Sequence, residues 1–306
     1  MLSRTSLTLS LALLFLGACA DQGFDVNDGA VPDKGVTTDQ VVWPDRGPLP
    51  DGVTIPDALM MYAHSREELF AIAPGSLQLT LKGTFTFDKS VPVNEQSIND
   101  IAMTGDGRLF ALSKTNIYEI NIKTVKATKV AQVQAGTKPP PLVALTFEKS
   151  GKLLGSDMDG AFYRIYYKAG SGKPMGTVET LGTYGQRLGS SGDLVATKDG
   201  TIFGVSQKGL NATDKDNIMI KVRLPTTPGA SNLATAGCKL GHGKVWGLAY
   251  WAGTIYGFTR GDNKDGKMIS IKPDGGDVTK TCTVKVIKTY PYEFWGAAVS
   301  PLAPVL

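Results

Sequence analysis

Four segments of this chain begin alike. Asn99 opens NDIAMTGDGRLFALS, Val143 opens VALTFEKSGKLLGSD, Gly192 opens GDLVATKDGTIFGVSQ, and Trp246 opens WGLAYWAGTIYGFT. A fifth start, WGAAVS at Trp295, is followed only by PLAPVL. The five starts are separated by 44, 49, 54 and 49 residues. Each full unit holds four short β-rich runs, parted by turns such as TGDG, EKSG and TKDG in which glycine supplies positive φ. No stretch carries a sustained helical period.

A period of this length with four strands per unit is the pattern of β-propeller blades. The segment Leu59 to Phe85 aligns with the unit from Arg108 onward, matching its second, third and fourth strands but not its first. The run from Trp295 supplies a first strand. Joined, the two pieces make a fifth blade and leave no open ring edge. The prediction is an all-β fold over residues 58–306: a single five-bladed propeller of four-stranded antiparallel blades, closed by the C-terminal strand. Two smaller β-sandwiches would not require complementary half-repeats. The body resembles the broad class of secreted propellers with YVTN, NHL or gluconolactonase-like repeats, and no motif narrows the family further.

The first residues read as an export signal. Arg4 precedes the apolar run Leu7 to Leu16, which is too short to span a bilayer. Leu16-Gly17-Ala18-Cys19 resembles the bacterial lipobox, which implies a signal peptide over 1–18 and a lipid on Cys19 as the membrane partner. Acyl chains anchor without spanning, each buried CH₂ contributing about 0.8 kcal/mol. Ala20 follows Cys19, and Asp21 comes one later. In a Gram-negative cell this favours the outer membrane over the inner, with periplasmic and surface display both open. Residues 19–57 are rich in Asp, Pro and Gly, and are expected to form an extended tether. From Ala20 to Asp57 the net charge is −6, whereas the body carries 29 basic and 20 acidic residues. Such a body could face anionic lipid or acidic polysaccharide, or simply be well solvated.

In a propeller the first strand of each blade lines the central channel. The channel mouth is therefore expected to gather Asn99, Asp100, Asp193, Trp246 and Trp295 from the inner strands. Loops on the same face would add Tyr184, Arg187, His242, Tyr292 and Glu293. Two aligned tryptophans can stack on sugar rings, hold a peptide side chain, or plug the channel. Asp100 and Asp193 can act as an acid/base pair, bind a cation, or cap inner strands.

Other chemistry is poorly supported. The acidic turns DMDG, TDKDN and DNKDG miss the calcium-loop spacing, so no metal site and no cofactor are expected. His64 and His242 are the only histidines, and neither a G-x-S-x-G elbow nor H-E-x-x-H occurs. No catalytic residue can be assigned, and nucleic acid is not an expected partner. Cys238 and Cys282 fall in outer strands of adjacent blades. An exported compartment permits a disulfide, but such strands diverge, whereas bridged Cα atoms lie within roughly 7 Å. The pairing stays open. The function expected is a monomeric, non-enzymatic envelope lipoprotein whose propeller binds a protein or glycan. A hydrolase or lactonase-like enzyme at the channel mouth, and a structural role in envelope assembly, are the alternatives.

Overall fold

In the computed structural model, the described residues are 59–134, 139–209, 213, 215–261 and 265–305. The export signal, Cys19 and the tether lie outside them, as do parts of the TDKDN and DNKDG turns. The strands fall into five sheets radiating from one axis. Blade 1 consists of β1 (Met61–His64), β2 (Glu68–Ile72) and β3 (Leu79–Thr84), completed by the C-terminal β21 (Gly296–Ala298) as its inner strand. Blade 2 holds β5 (Asp100–Met103), β6 (Leu109–Leu112), β7 (Asn116–Asn121) and β8 (Lys126–Gln132). Its outer edge carries a short parallel strand, β4 (Thr86–Phe87). Blade 3 runs through β9 (Leu142–Phe147), β10 (Leu153–Asp157), β11 (Ala161–Ile165) and β12 (Val178–Thr183). Blade 4 contains β13 (Ser190–Ala196), β14 (Ile202–Ser206), β15 (Ile218–Val222) and β16 (Ala234–Lys239). Blade 5 contains β17 (Val245–Trp251), β18 (Thr254–Thr259), β19 (Lys267–Pro273) and β20 (Cys282–Thr289). The inner strands β21, β5, β9, β13 and β17 neighbour one another around the ring.

Closure follows the half-repeat logic. β21 pairs antiparallel with β1, setting Tyr62 opposite Ala298 and His64 opposite Gly296. Beside that seam the Phe294 ring is wholly buried, with Phe70, Phe258 and Tyr290 at centroid distances of 6.1, 5.5 and 5.6 Å. The following residues cross the end of the channel away from the mouth. Ala252 donates its backbone N–H to Pro304 at 2.9 Å, and Leu302 packs against Gly105. The apolar core lies between blades rather than within one layer, as a β-sheet face needs a facing sheet to bury it. Between blades 2 and 3, Phe110, Phe147 and Tyr167 meet pairwise at 5.1–5.2 Å.

The outer edges are tied, not splayed. β4 covers the edge of β8, Gln134 pairs with Thr177, and Gly182 pairs with Ala230. Between blades 4 and 5 the β19–β20 turn leans back, so that Cys238 N–H donates to Val278 O at 2.8 Å. Glycine permits these approaches: a Cβ on Gly182 would overlap Ala230 O, and one on Gly237 would overlap Val278 O. The same lean joins Cys238 to Cys282 in a disulfide with a Cα separation of 5.8 Å. Divergence of neighbouring outer strands, the objection raised by geometry, is overcome by this turn.

Candidate functional site at the channel mouth

The repeat starts form successive rings around the axis. Nearest the mouth stand Asn99, Val143, Gly192, Trp246 and Trp295. One residue deeper come Asp100, Ala144, Asp193, Gly247 and Gly296, and deeper again Ile101, Leu145, Leu194, Leu248 and Ala297. An inner strand has one unpaired edge, whose N–H groups face the axis and need acceptors. Two carboxylates supply them for all five blades. Asp100 accepts from Ile101 N–H at 2.9 Å and Leu145 N–H at 2.6 Å. Asp193 accepts from the N–H groups of Leu194, Leu248 and Ala297, the last at 3.1 Å.

Both aspartates are fully buried. Burial pushes both carboxyls well above the usual range, and for Asp100 the facing charge of Asp193 adds to it. They also hydrogen-bond to each other, which requires a proton between two acceptors. Asp193, with three N–H donors, is the better stabilised anion, so Asp100 holds the proton and donates it. The other members of this ring are small because the carboxylates fill the axis. A Cβ on Gly296 would overlap both Asp100 Oδ1 and His64 Nε2. His64 is itself fully buried, and its Nδ1–H donates to Ser65 O at 2.6 Å. Its Nε2 therefore carries a lone pair with no partner among the described residues. Burial lowers its pKa to about 4.

Above this layer opens a cavity of about 460 Å³, lined by Asn99, Trp246 and Trp295 together with Val143, Met158, Ser191, Gly192, Gln207 and Lys244. The two indoles meet edge to face, with centroids 4.9 Å apart and planes at 67°. The Arg260 guanidinium lies 4.9 Å from the Trp246 ring centre and 4.8 Å from that of Trp295, and Arg66 stands 4.1 Å from the latter. Glu293 is 3.6 Å from Arg260. On the far side of Trp295 a polar groove of about 390 Å³ is bounded by Arg66, Glu67, Arg260, Tyr292 and Glu293.

The expected mouth thus divides. Asn99, Trp246 and Trp295 line one cavity, Asp100 and Asp193 lie sealed beneath it, and Tyr292 and Glu293 belong to the neighbouring groove. The remaining three residues expected at the mouth line neither the cavity nor the groove. Tyr184 is fully buried in the core between blades 3 and 4, with Phe162 at 5.9 Å, because its loop turns inward. Arg187 is exposed on a left-handed turn (φ 59°) that directs it off the cavity wall. His242 is partly exposed. It lends its backbone carbonyl to Asn217 N–H at 2.8 Å, while burial and Lys267 lower its imidazole pKa. Sequence reasoning missed Lys244, Gln207, Met158 and Ser191, although Val143 and Gly192 were legible as equivalents of the tryptophans.

Two further missed residues position the cavity wall. Asn217 is fully buried and accepts from Val245 N–H at 2.9 Å and Ser191 Oγ at 3.2 Å, joining blades 4 and 5. Glu95 pins the loop before Asn99 to the β6–β7 turn, accepting from Ser113, from Thr115 Oγ1 at 2.8 Å and from Asn116 Nδ2 at 3.2 Å. Burial pushes its pKa up, but the Ser113 and Thr115 hydrogen bonds outweigh this and hold it below the ordinary value. Among the described residues no cluster of three or more His, Cys, Asp or Glu could hold a metal ion, and no helix is long and apolar enough to cross a membrane.

No known family profile matches the chain, and no curated protein shows significant sequence similarity to it. Solved structures resemble it at low identity. A chain of the nidogen/laminin complex is 11% identical with a TM-score of 0.45, covering 78% of this chain and 97% of its own. A gluconolactonase from Xanthomonas campestris is 12% identical with a TM-score of 0.45, covering 85% of this chain and 80% of its own. The extracellular domain of a one-component system from Bacteroides thetaiotaomicron is 13% identical with a TM-score of 0.39. That match covers 76% of this chain and 30% of the other. Likeness at this level carries no statement about chemistry.

Proposed function

We propose that this chain is a cell-envelope binding protein, held to the membrane through lipid on Cys19, whose propeller receives a ligand at the Trp246–Trp295 mouth without transforming it. The supporting observation is the fate of the two aspartates. They converge, as an acid/base pair would, but their oxygens are committed to five backbone N–H groups and to each other beneath the cavity floor. A general acid or base must reach the reacting atom, and these do not line the cavity. Glu293, the third carboxylate suited to an enzyme, sits by Arg260 in the adjoining groove. What the cavity offers instead is an aromatic wall with a few polar side chains, the ordinary composition of a recognition site.

The test is capture. Full-length protein should retain a set of glycans or envelope proteins on an array and in pull-downs, and Trp246→Ala and Trp295→Ala should each weaken retention by about tenfold or more. Equal retention by both variants would refute the mouth as the binding face. Turnover of a bound lactone or ester would refute the non-enzymatic reading. The anchor is checked separately, since Cys19→Ala should release the protein from the membrane fraction.

A further inference from the structure

The seams between blades are not closed alike. From blade 1 to blade 5, β4 on β8, Gln134 with Thr177, Gly182 with Ala230, and the Cys238–Cys282 bridge tie the outer strands in turn. Between blade 5 and blade 1 the described residues form no such tie. The mouth end of that seam is filled by Tyr292, 4.7 Å from Phe70, and by Phe294. Further from the mouth a groove of about 480 Å³ stays open. Leu77 of blade 1 lines it with Tyr256, Lys272, Lys285 and Ile287 of blade 5.

Both walls of this gap carry apolar side chains in water. Leu81 pairs with Phe70 across the β2–β3 ladder, so it shares the face of blade 1 that looks at blade 5, yet it is 50% exposed. Ile287, on the blade 5 wall, is 40% exposed. Lys272 and Lys285 have no ion-pair partner among the described residues, while Asp274, which also lines the groove, accepts from Thr281 Oγ1. The chain enters the body beside this groove. Leu59 is buried in the core that blades 1 and 5 share. Met61 pairs with Ile72, at the end of blade 1 where the β2–β3 turn carries Leu77. Directly before it stands GPLPDGVTIPDA, residues 47–58. Asp51, Val53, Ile55 and Asp57 alternate there, and extended chain puts alternate residues on one side.

We infer that the chain's own residues 47–58 occupy this groove and tie the fifth seam. Val53 and Ile55 cover Leu81 and Ile287, and the two aspartates answer Lys272 and Lys285. The match is of charge, pattern and length together. Six extended residues, from Asp51 to Asp57, reach about 20 Å, more than the roughly 13 Å from Thr283 to Ile287 along β20. Pro50 and Pro56, which lack an N–H, suit the outermost position in a sheet and no inner one. Chain from outside the five repeats thereby closes the seam that the repeats leave open, independently of what the mouth binds.

Hydrogen exchange on the full chain tests it. The amides of Val53, Thr54 and Ile55 should exchange at least about tenfold more slowly than their intrinsic rates, the mark of a segment that must open before it exchanges. Lys272→Glu with Lys285→Glu should remove that protection while melting stays cooperative, since both side chains are exposed. Adding Asp51→Lys and Asp57→Lys to the same chain should restore it, because the charges are exchanged rather than lost. Ile55→Asp leaves the blades untouched and should also return Thr54 to its intrinsic rate. Intrinsic rates at residues 53–55 in the unmutated chain, or protection that survives the lysine reversals, would overturn the inference. A dimer in sedimentation whose β20 is protected while residues 53–55 exchange freely would overturn it too, and would assign the groove to a second copy.

Discussion

Asp193 accepts backbone N–H groups from three different blades. Exchanging it for asparagine sets an NH₂ group against backbone donors already facing it, so Asp193→Asn should destabilise by about 2–3 kcal/mol. Asp100→Asn, at a position that already donates, should cost less, and urea midpoints of the two variants check the order. The same layer dictates a pH response. The folded pKa of His64 is depressed to about 4, so folding releases its proton. Its stabilisation is present above about 6.5 and is lost as pH falls toward 4, by about 3 kcal/mol in all. The aspartates run oppositely: their pKa values are raised, so their contribution is complete below the unfolded carboxylate value and is lost as pH rises through the folded ones. Between pH 4 and 6.5 the two trends offset. His64→Leu removes the His64 contribution, so its urea midpoints should rise less, or fall more, with pH across that window than those of the unmutated protein, His242 keeping its smaller trend in both. The equivalence of Asp100 and Asp193 was visible in the aligned repeats. That they touch was not, since contact across the ring depends on blade number and on Gly247 and Gly296 staying small.

Among the elements, the β19–β20 turn does most to correct expectation. Outer strands viewed alone diverge, and nothing in a local pattern says that one turn will lean across to its neighbour. Gly237 was the available signal, a residue without Cβ in a strand otherwise suited to side chains. Gly237→Ala should therefore disturb the blade 4–5 seam, detectable as faster hydrogen exchange at Cys238 and Val278. The disulfide closes a sequence separation of 44 residues. Chain-entropy arguments then give Cys282→Ala a loss of roughly 2–4 kcal/mol, measurable as a matching shift in the denaturation midpoint when reductant is added to the unmutated protein. Loop residues were the least legible part of the site. Tyr184, Arg187 and His242 were placed by face alone, and which way a loop folds back depends on backbone left-handed turns that composition only hints at. Strand positions fared better because the blade repeat fixes their depth along the axis.

At the scale of the whole molecule, the first blade is assembled from both ends of the body. Removing residues 293–306 takes away its inner strand, the Phe294 plug and the crossing at the far end of the channel. The expected result is loss of cooperative melting throughout the body, and a truncated protein that melts as the full one does would contradict ring closure. Phe294→Ala is the milder form, with a cost of about 3–5 kcal/mol by calorimetry or denaturant titration. The axial carboxyl pair has one more implication. It satisfies one edge N–H from every blade, five in total. A sixth repeat copied from blade 1, 3 or 5, none of which carries an aspartate at this depth, would bring an edge donor with no acceptor, and any sixth repeat would widen the circle and draw the two acids apart. The pair is thus matched in number and reach to five blades.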